Sequence, residues 1–175
     1  NKVVELSMEQ TPQSIYVPPR VEVYEGMTLE ELGTKLDRSL NGVLSGKGNL
    51  IAKTCIDSGV DPYIAVAIML HETGCRSRCS TLAVKCNNVG GQRGYNGWLK
   101  YPTLEAGIIG HVISVKAILD NYNIDTTSPT AISDLSSIYV NGHPNNPSDS
   151  WTYKVTNIKS KITGAEVART ILDKN

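Results

Sequence analysis

The stretch Asp61–Gly74, DPYIAVAIMLHETG, places a carboxylate, Glu72, beside an imidazole, His71. Both groups can move protons near neutral pH. The residues before them are the informative part. Asp61 suits a helix N-cap, Pro62 the first helical position and Gly74 the position just past the end, which predicts a helix over 62–73. Ile64 to Leu70 is apolar on every side, so that helix should be buried all round. Glu72 then stands at its C-terminal end. A helix C-terminus carries partial negative charge, and an apolar wall strips water from a carboxyl group. Both effects disfavour the charged form, which is what a general acid needs. His71 reads as a packing or supporting residue and not as a base.

The elements around this helix follow from caps and periodicity. Residues 1–26 contain Pro12, Pro18 and Pro19 and read as an extended arm or linker, with a short edge strand near Val21–Tyr24. Residues 27–175 read as one domain. Thr28 and Glu31 form a capping-box signature for a helix to about Leu40. The three glycines of NGVLSGKGN, 41–49, predict a loop. A helix over 50–58 should stop at Gly59. Thr103 caps a further helix carrying Ile108, Val112, Val115 and Leu119. Ser128 and Pro129 open another, to about Val140. A polar loop spans 141–150. Two last helices are expected at 151–162 and 164–173, the second capped by Thr163 with Glu166.

Between the acid and Thr103 the character changes. Residues 74–102 hold five glycines, three asparagines, three cysteines, Trp98 and two tyrosines. They predict a loop-rich lobe with a short hairpin. The fold class expected is mainly α, with a small irregular lobe after the central helix. Cys75, Cys79 and Cys86 lie close together in this lobe, and Cys55 lies apart. At least one disulfide within 75–86 is expected, which implies an extracellular setting. Reduced packed cysteines are one alternative. A zinc site from His71, Cys75, Cys79 and Cys86 is another, although its spacing matches no standard finger or ribbon. No metal or organic cofactor is expected.

The 175 residues balance 17 basic against 17 acidic side chains. A nucleic-acid binder would carry a basic excess or stripe, so that class is set aside. No apolar run is long enough to span a bilayer. The chain begins at Asn1, which reads as a processed form or a piece of a larger polypeptide or assembly.

Four blocks add a resemblance: AIMLHETG, then NNVGG, then YPTLEAGI, then IYVNGHPNNPSDSWTYKV. In order and spacing they resemble the bacterial glucosaminidase family of peptidoglycan hydrolases, within the lysozyme superfamily, from about Met27 to Ile162. The resemblance implies a lysozyme-like helical domain. It makes Glu72 the catalytic acid and sets Tyr139 beside it. It lets the turn Asn87, Asn88, Gly90 and Gly91 line the substrate cleft, although Asn and Gly also suit a plain tight turn. Trp98, Tyr95 and Tyr101 would be lobe core or apolar platforms for sugar rings. The family often reads Tyr-Ala-Thr-Asp where this chain has Tyr139, Val140 and Asn141. The second carboxylate is therefore unassigned, with Glu105 and Asp149 as candidates, and Glu105 equally suits a helix N-terminus.

The activity implied is cleavage of the β-1,4-linked glycan strand of peptidoglycan, with N-acetylglucosaminidase action first. Lytic transglycosylase action, giving anhydromuramyl ends, comes second. A non-catalytic wall-binding or structural module is the reading from another class. The implied setting is extracellular, at a cell wall or on a phage particle.

Overall fold

The computed structural model describes residues 12–172, with side chains described to Gly164. Among these residues the chain is mainly helical, with one two-stranded antiparallel hairpin. The helices are α1 (Leu29–Asp37), α2 (Gly48–Ser58), α3 (Pro62–Thr73), α4 (Thr81–Cys86), α5 (Leu104–Asn121), α6 (Ala131–Asn141) and α7 (Asp149–Leu172). The hairpin pairs β1 (Arg93–Gly94) with β2 (Gly97–Trp98), Arg93 opposite Trp98. None of the described helices is long and apolar enough to cross a membrane.

The centre is α3, packed against α2, α5 and α7. Its caps work as the sequence predicts. The Asp61 carboxylate accepts from the backbone N–H groups of Tyr63 and Ile64, and Gly74 ends the helix in the left-handed region at φ +67°. Every residue from Pro62 to Leu70 is buried. Each large apolar side chain so placed contributes roughly 1.5–3 kcal/mol. A helix buried on all sides has no freedom to rotate, and this fixes the direction in which Glu72 leaves it.

Glycines set the close approaches. A Cβ on Gly33 of α1 would meet the Asn49 side chain at 1.8 Å, and one on Gly48 of α2 would meet the Gly33 carbonyl at 2.1 Å. The two helices therefore touch backbone to backbone. This corrects the 41–49 loop expected from its glycines: Gly48 opens α2, and Gly42–Leu44 forms a short 3-10 turn.

Other boundaries also differ from expectation. The capping box at Thr28 and Glu31 is present, but α1 stops at Asp37, after which Leu40 turns into the core. The edge strand expected near Val21–Tyr24 is only a tight turn that pairs Tyr24 with Met27 through Glu25 and Gly26, both at positive φ. Tyr24 packs edge-on against Tyr63 at 5.6 Å, so the end of the arm belongs to the domain. The rest of the arm from Pro12 has no regular structure, and residues 1–11 lie outside the described residues.

The two helices expected at the C-terminus are one, α7. Thr163 does not cap a new helix. Its hydroxyl donates backwards to the carbonyls of Lys159 and Ser160, a bond made inside a continuing helix.

His111 of α5 is fully buried against α3. Its Nε2 donates to the Ala65 carbonyl of α3 at 2.9 Å, so Nδ1 is the bare nitrogen. Nδ1 has no partner among the described residues, and a Cβ on Gly90 would stand 2.4 Å from it. Burial pulls the His111 pKa down to about 4. The unfolded chain takes up this proton near pH 6.5. Acidification from 6.5 to 4 therefore protonates the unfolded chain first and removes stability, on the order of 3 kcal/mol. The unfolding free energy of the parent should fall through that window. His111→Gln, which keeps a donor for Ala65, should flatten the fall in denaturant titrations. Parallel pH curves for the two proteins would contradict this.

Candidate functional site

Glu72 leaves the last turn of α3 partly exposed. Two other elements hold its carboxylate. From α7, the Trp151 indole Nε1 donates to Oε1 at 3.2 Å. From the lobe, Gly91 packs so closely that a Cβ there would lie 2.7 Å from Oε2. Gly91 also has φ +63°, a left-handed backbone that an L side chain resists. One oxygen is thus bonded to an indole, and the other faces bare backbone.

Trp151 is the hinge of the cluster. It is 6% exposed, Tyr139 stacks on it at 5.3 Å, and His71 meets it edge-on at 5.8 Å. The Tyr139 hydroxyl is buried without a hydrogen-bond partner among the described residues. Burial, and then the charge of Glu72, push its pKa upward, so the phenol keeps its proton as a donor. Burial also lowers the pKa of His71, more than Glu72 raises it, and Lys154 and Arg76 lower it further. His71 is therefore neutral near pH 7 and fills space beside the acid.

Trp151 is the site residue that sequence reasoning missed. Its signal was available: a tryptophan buried in a helix needs a partner for its N–H. The residue lies inside the last of the four blocks, two positions after Asp149.

The turn NNVGG does different work from the cleft-lining role expected of it. Only Gly91 reaches Glu72. Asn88 is 1% exposed, and its side chain is fully used inside the lobe. It donates to the carbonyls of Gln92 (2.8 Å) and Leu99 (3.0 Å) and accepts from the Gln92 N–H (2.9 Å). Asn87 caps α4 at φ +52° and donates to the Tyr101 carbonyl at 3.0 Å. Gly90 is buried against His111. The two asparagines are structural because a side-chain amide at a tight turn satisfies nearby backbone before it can reach a ligand, and Gly90 because it is packed on His111.

Tyr101 also belongs to the lobe. Its hydroxyl donates to the Gln92 side chain at 2.8 Å, and its ring lies where a Cβ on Gly110 would be, 2.5 Å away. Trp98 is 46% exposed on the hairpin, with the Arg93 guanidinium 4.1 Å over its ring, and Tyr95 is fully exposed at the hairpin tip. The lobe also contains a helix that was not expected, α4, capped by Ser80.

The two candidates for a second carboxylate stand apart in chemistry. Glu105 opens α5 and forms an ion pair with Lys47 at 2.7 Å, and that hydrogen bond holds its carboxyl below the usual range. Asp149 opens α7, exposed. A cavity of about 500 Å³ lies at the other end of α3, around Asp61, Glu25 and Thr152, and its lining does not include Glu72.

The disulfide expected within 75–86 joins Cys75 to Cys79, directly after α3. Cys55 and Cys86 are free thiols. The alternative zinc set loses two of its four ligands to this bond. Among the described residues no group of three His, Cys, Asp or Glu side chains is placed to hold a metal ion.

No family model matches the chain, and no curated protein matches it.

Two substitutions separate the roles in this turn. Asn88→Ala leaves the Gln92 N–H and the Leu99 carbonyl without partners, while the Gln92 carbonyl keeps the Leu99 N–H, and should cost on the order of 2–3 kcal/mol, read by denaturant unfolding. An unchanged unfolding midpoint would return Asn88 to the cleft. Gly91→Ala carries a left-handed strain of about 1–2 kcal/mol. It should also push the Glu72 carboxylate off Trp151, visible as a changed indole environment in fluorescence. An unaltered Trp151 signal in folded Gly91→Ala would reject the contact.

Proposed function

We propose that this chain cleaves the glycan strand of peptidoglycan, with Glu72 as the general acid. The observation that carries the reading is the Glu72 carboxylate at the end of a buried helix, tied to Trp151 on one oxygen and packed against the bare backbone of Gly91 on the other. The four sequence blocks that resemble the bacterial glucosaminidases support it, and so does the mainly helical fold with a hairpin lobe after the central helix.

In the proposed reaction the carboxyl group of Glu72 gives its proton to the glycosidic oxygen as the C–O bond breaks. The leaving sugar departs neutral. The remaining sugar ring develops oxocarbenium character. Tyr139 keeps its hydroxyl proton, and its hydroxyl has no partner among the described residues, so it is the group placed to donate to the bound sugar. The trapped centre then takes a nucleophile, whose proton returns to the Glu72 carboxylate.

Glycosidases that act through two carboxyl groups hold them roughly 5–10 Å apart. Glu105 is engaged by Lys47. With Glu105 so engaged, Asp149 at the start of α7 is the remaining candidate for a second carboxylate, and two routes need none. In the first, the N-acetyl group of the substrate shields the cationic centre and water adds, which is N-acetylglucosaminidase chemistry. In the second, a muramyl 6-hydroxyl adds and gives an anhydro end, which is lytic transglycosylase chemistry. The Cys75–Cys79 disulfide supports an extracellular setting, at a wall or on a phage particle.

Digestion of purified peptidoglycan, followed by mass spectrometry of the fragments, tests the reading. Reducing-end N-acetylglucosamine is the expected product, and anhydromuramyl ends select the second route. Folded Glu72→Gln should lose at least ~100-fold in rate. Absence of any released fragment favours a non-catalytic wall-binding module. Near-normal cleavage by Glu72→Gln removes Glu72 from the mechanism.

A further inference from the structure

The loop that follows Glu72 carries two arginines that the proposed chemistry does not use. Its sequence is Cys75-Arg76-Ser77-Arg78-Cys79, closed by the disulfide. It is tied down from outside as well. Asn41 donates to the Arg76 carbonyl at 2.7 Å through its side chain and to the Cys75 carbonyl at 3.1 Å through its backbone. Ser80 N–H donates to the Thr73 carbonyl at 2.7 Å. The loop backbone is therefore fixed while both guanidinium groups stay exposed.

Each arginine borders its own cavity. One, of about 310 Å³, has Arg76 and Lys161 at its walls, Ser39 and Asn41 as neutral polar groups, and Leu70 and Ile158 as apolar surface. The other, of about 420 Å³, holds Arg78 and Lys85. Neither lining contains an acidic residue. Acids and bases are equal in number over the whole chain, so two acid-free basins with four cations are a segregation of charge. Among the described residues, Arg76, Arg78, Lys85 and Lys161 take part in none of the ion pairs, which engage Arg20, Lys47, Lys53 and Lys116 among others.

The first basin borders the acid's surroundings through Arg76, which lies four residues after Glu72 and whose charge acts on His71. Trp151 and Lys161 stand on the same helix, α7, about 15 Å apart along its axis. A polymer lying across Glu72 would bring a substituent to the basin, and binding there could be spent on orienting the bond to be cut.

We propose that the Arg76–Lys161 basin binds an anionic oxyacid group carried by the wall polymer that the Glu72 site cleaves. This rests on the glycan reading of that site. Arg76 offers a planar fork to a carboxylate or phosphate, Lys161 a mobile point charge, and Asn41 and Ser39 neutral polar groups beside them. Two wall sources carry such groups: carboxylates of the peptide stems and phosphates of a polyol-phosphate chain.

The test uses the whole chain and an Arg76→Gln/Lys161→Gln variant, with Arg76→Lys/Lys161→Arg as the charge-preserving control. Both variants alter exposed side chains, and thermal melting checks that they fold. Binding of two probes, a free stem tetrapeptide and a glycerol-phosphate oligomer, is followed by NMR titration at low salt. The neutralised variant should bind the true source roughly ten-fold more weakly, and the control should bind it as the parent does. One molar salt should abolish the difference. The probe that shows this loss identifies the source. If the parent binds neither probe, or the variant binds both as the parent does, the basin is not an anion site. Cleavage of glycan strands stripped of peptide and phosphate separates the two proposals. With equal cleavage of stripped strands and weaker probe binding by the variant, both stand. Probe binding lost in the variant while neither protein cuts any strand overturns the glycan reading and keeps the basin.

Discussion

The Glu72 carboxylate is held by two neighbours of opposite kind, an indole N–H that bonds one oxygen and a glycine that leaves room for the other. Both contacts demand that three separate segments, α3, the lobe turn and the first turn of α7, meet within fractions of an ångström. Much of the remaining structure serves that registry. Burial of α3 on all sides fixes where the acid emerges. The Asn88 amide ties Gln92 and Leu99 into one rigid turn, and so sets the height of Gly91. Gly107 and Gly110 let α5 lie directly against this turn, since a Cβ at either would strike Asn87 or Tyr101. His111 then links α5 to α3 through the Ala65 carbonyl, with Gly90 pressed on its other face.

The cluster holds one acid, one neutral imidazole and one buried phenol around a single indole. The phenol is the odd member. A buried hydroxyl without a partner costs about 1–3 kcal/mol. Tyr139 carries that cost beside the carboxylate, where a bound ligand would remove it. Charge is distributed around this cluster with the same segregation. The helix that supplies Trp151 also supplies Lys154, and the loop behind Glu72 supplies Arg76, and both cations act on His71.

Local chemistry in the sequence specified α3 well. Asp61, Pro62 and Gly74 each have one dominant reading at a helix end, and the structure uses all three. The capping box at Thr28 and the cap at Thr103 were legible for the same reason. Residues with two readings were not. Gly48 marks a loop in isolation but a backbone contact in the fold, and only the position of Gly33 decides between them. Thr163 can cap a helix or bond back into one, and packing of Val155, Ile158 and Ile162 along α7 carries the helix through. Asn88 could face a ligand or its own turn, and three backbone partners within reach settle it inward. The acid itself was legible because it ends an apolar run. Its partner Trp151 lies 79 residues away, and that separation is a tertiary fact.

The central claim is that the side chain at position 72 addresses a glycosidic oxygen. It is tested most directly by a crystal structure of Glu72→Gln bound to an N-acetylated oligosaccharide of the wall glycan. The account predicts a bridging oxygen within about 2.6–3.2 Å of the position 72 side chain, on the Gly91 side, with the Tyr139 hydroxyl bonded to the sugar. An oligosaccharide bound with every bridging oxygen out of reach of residue 72 would contradict it.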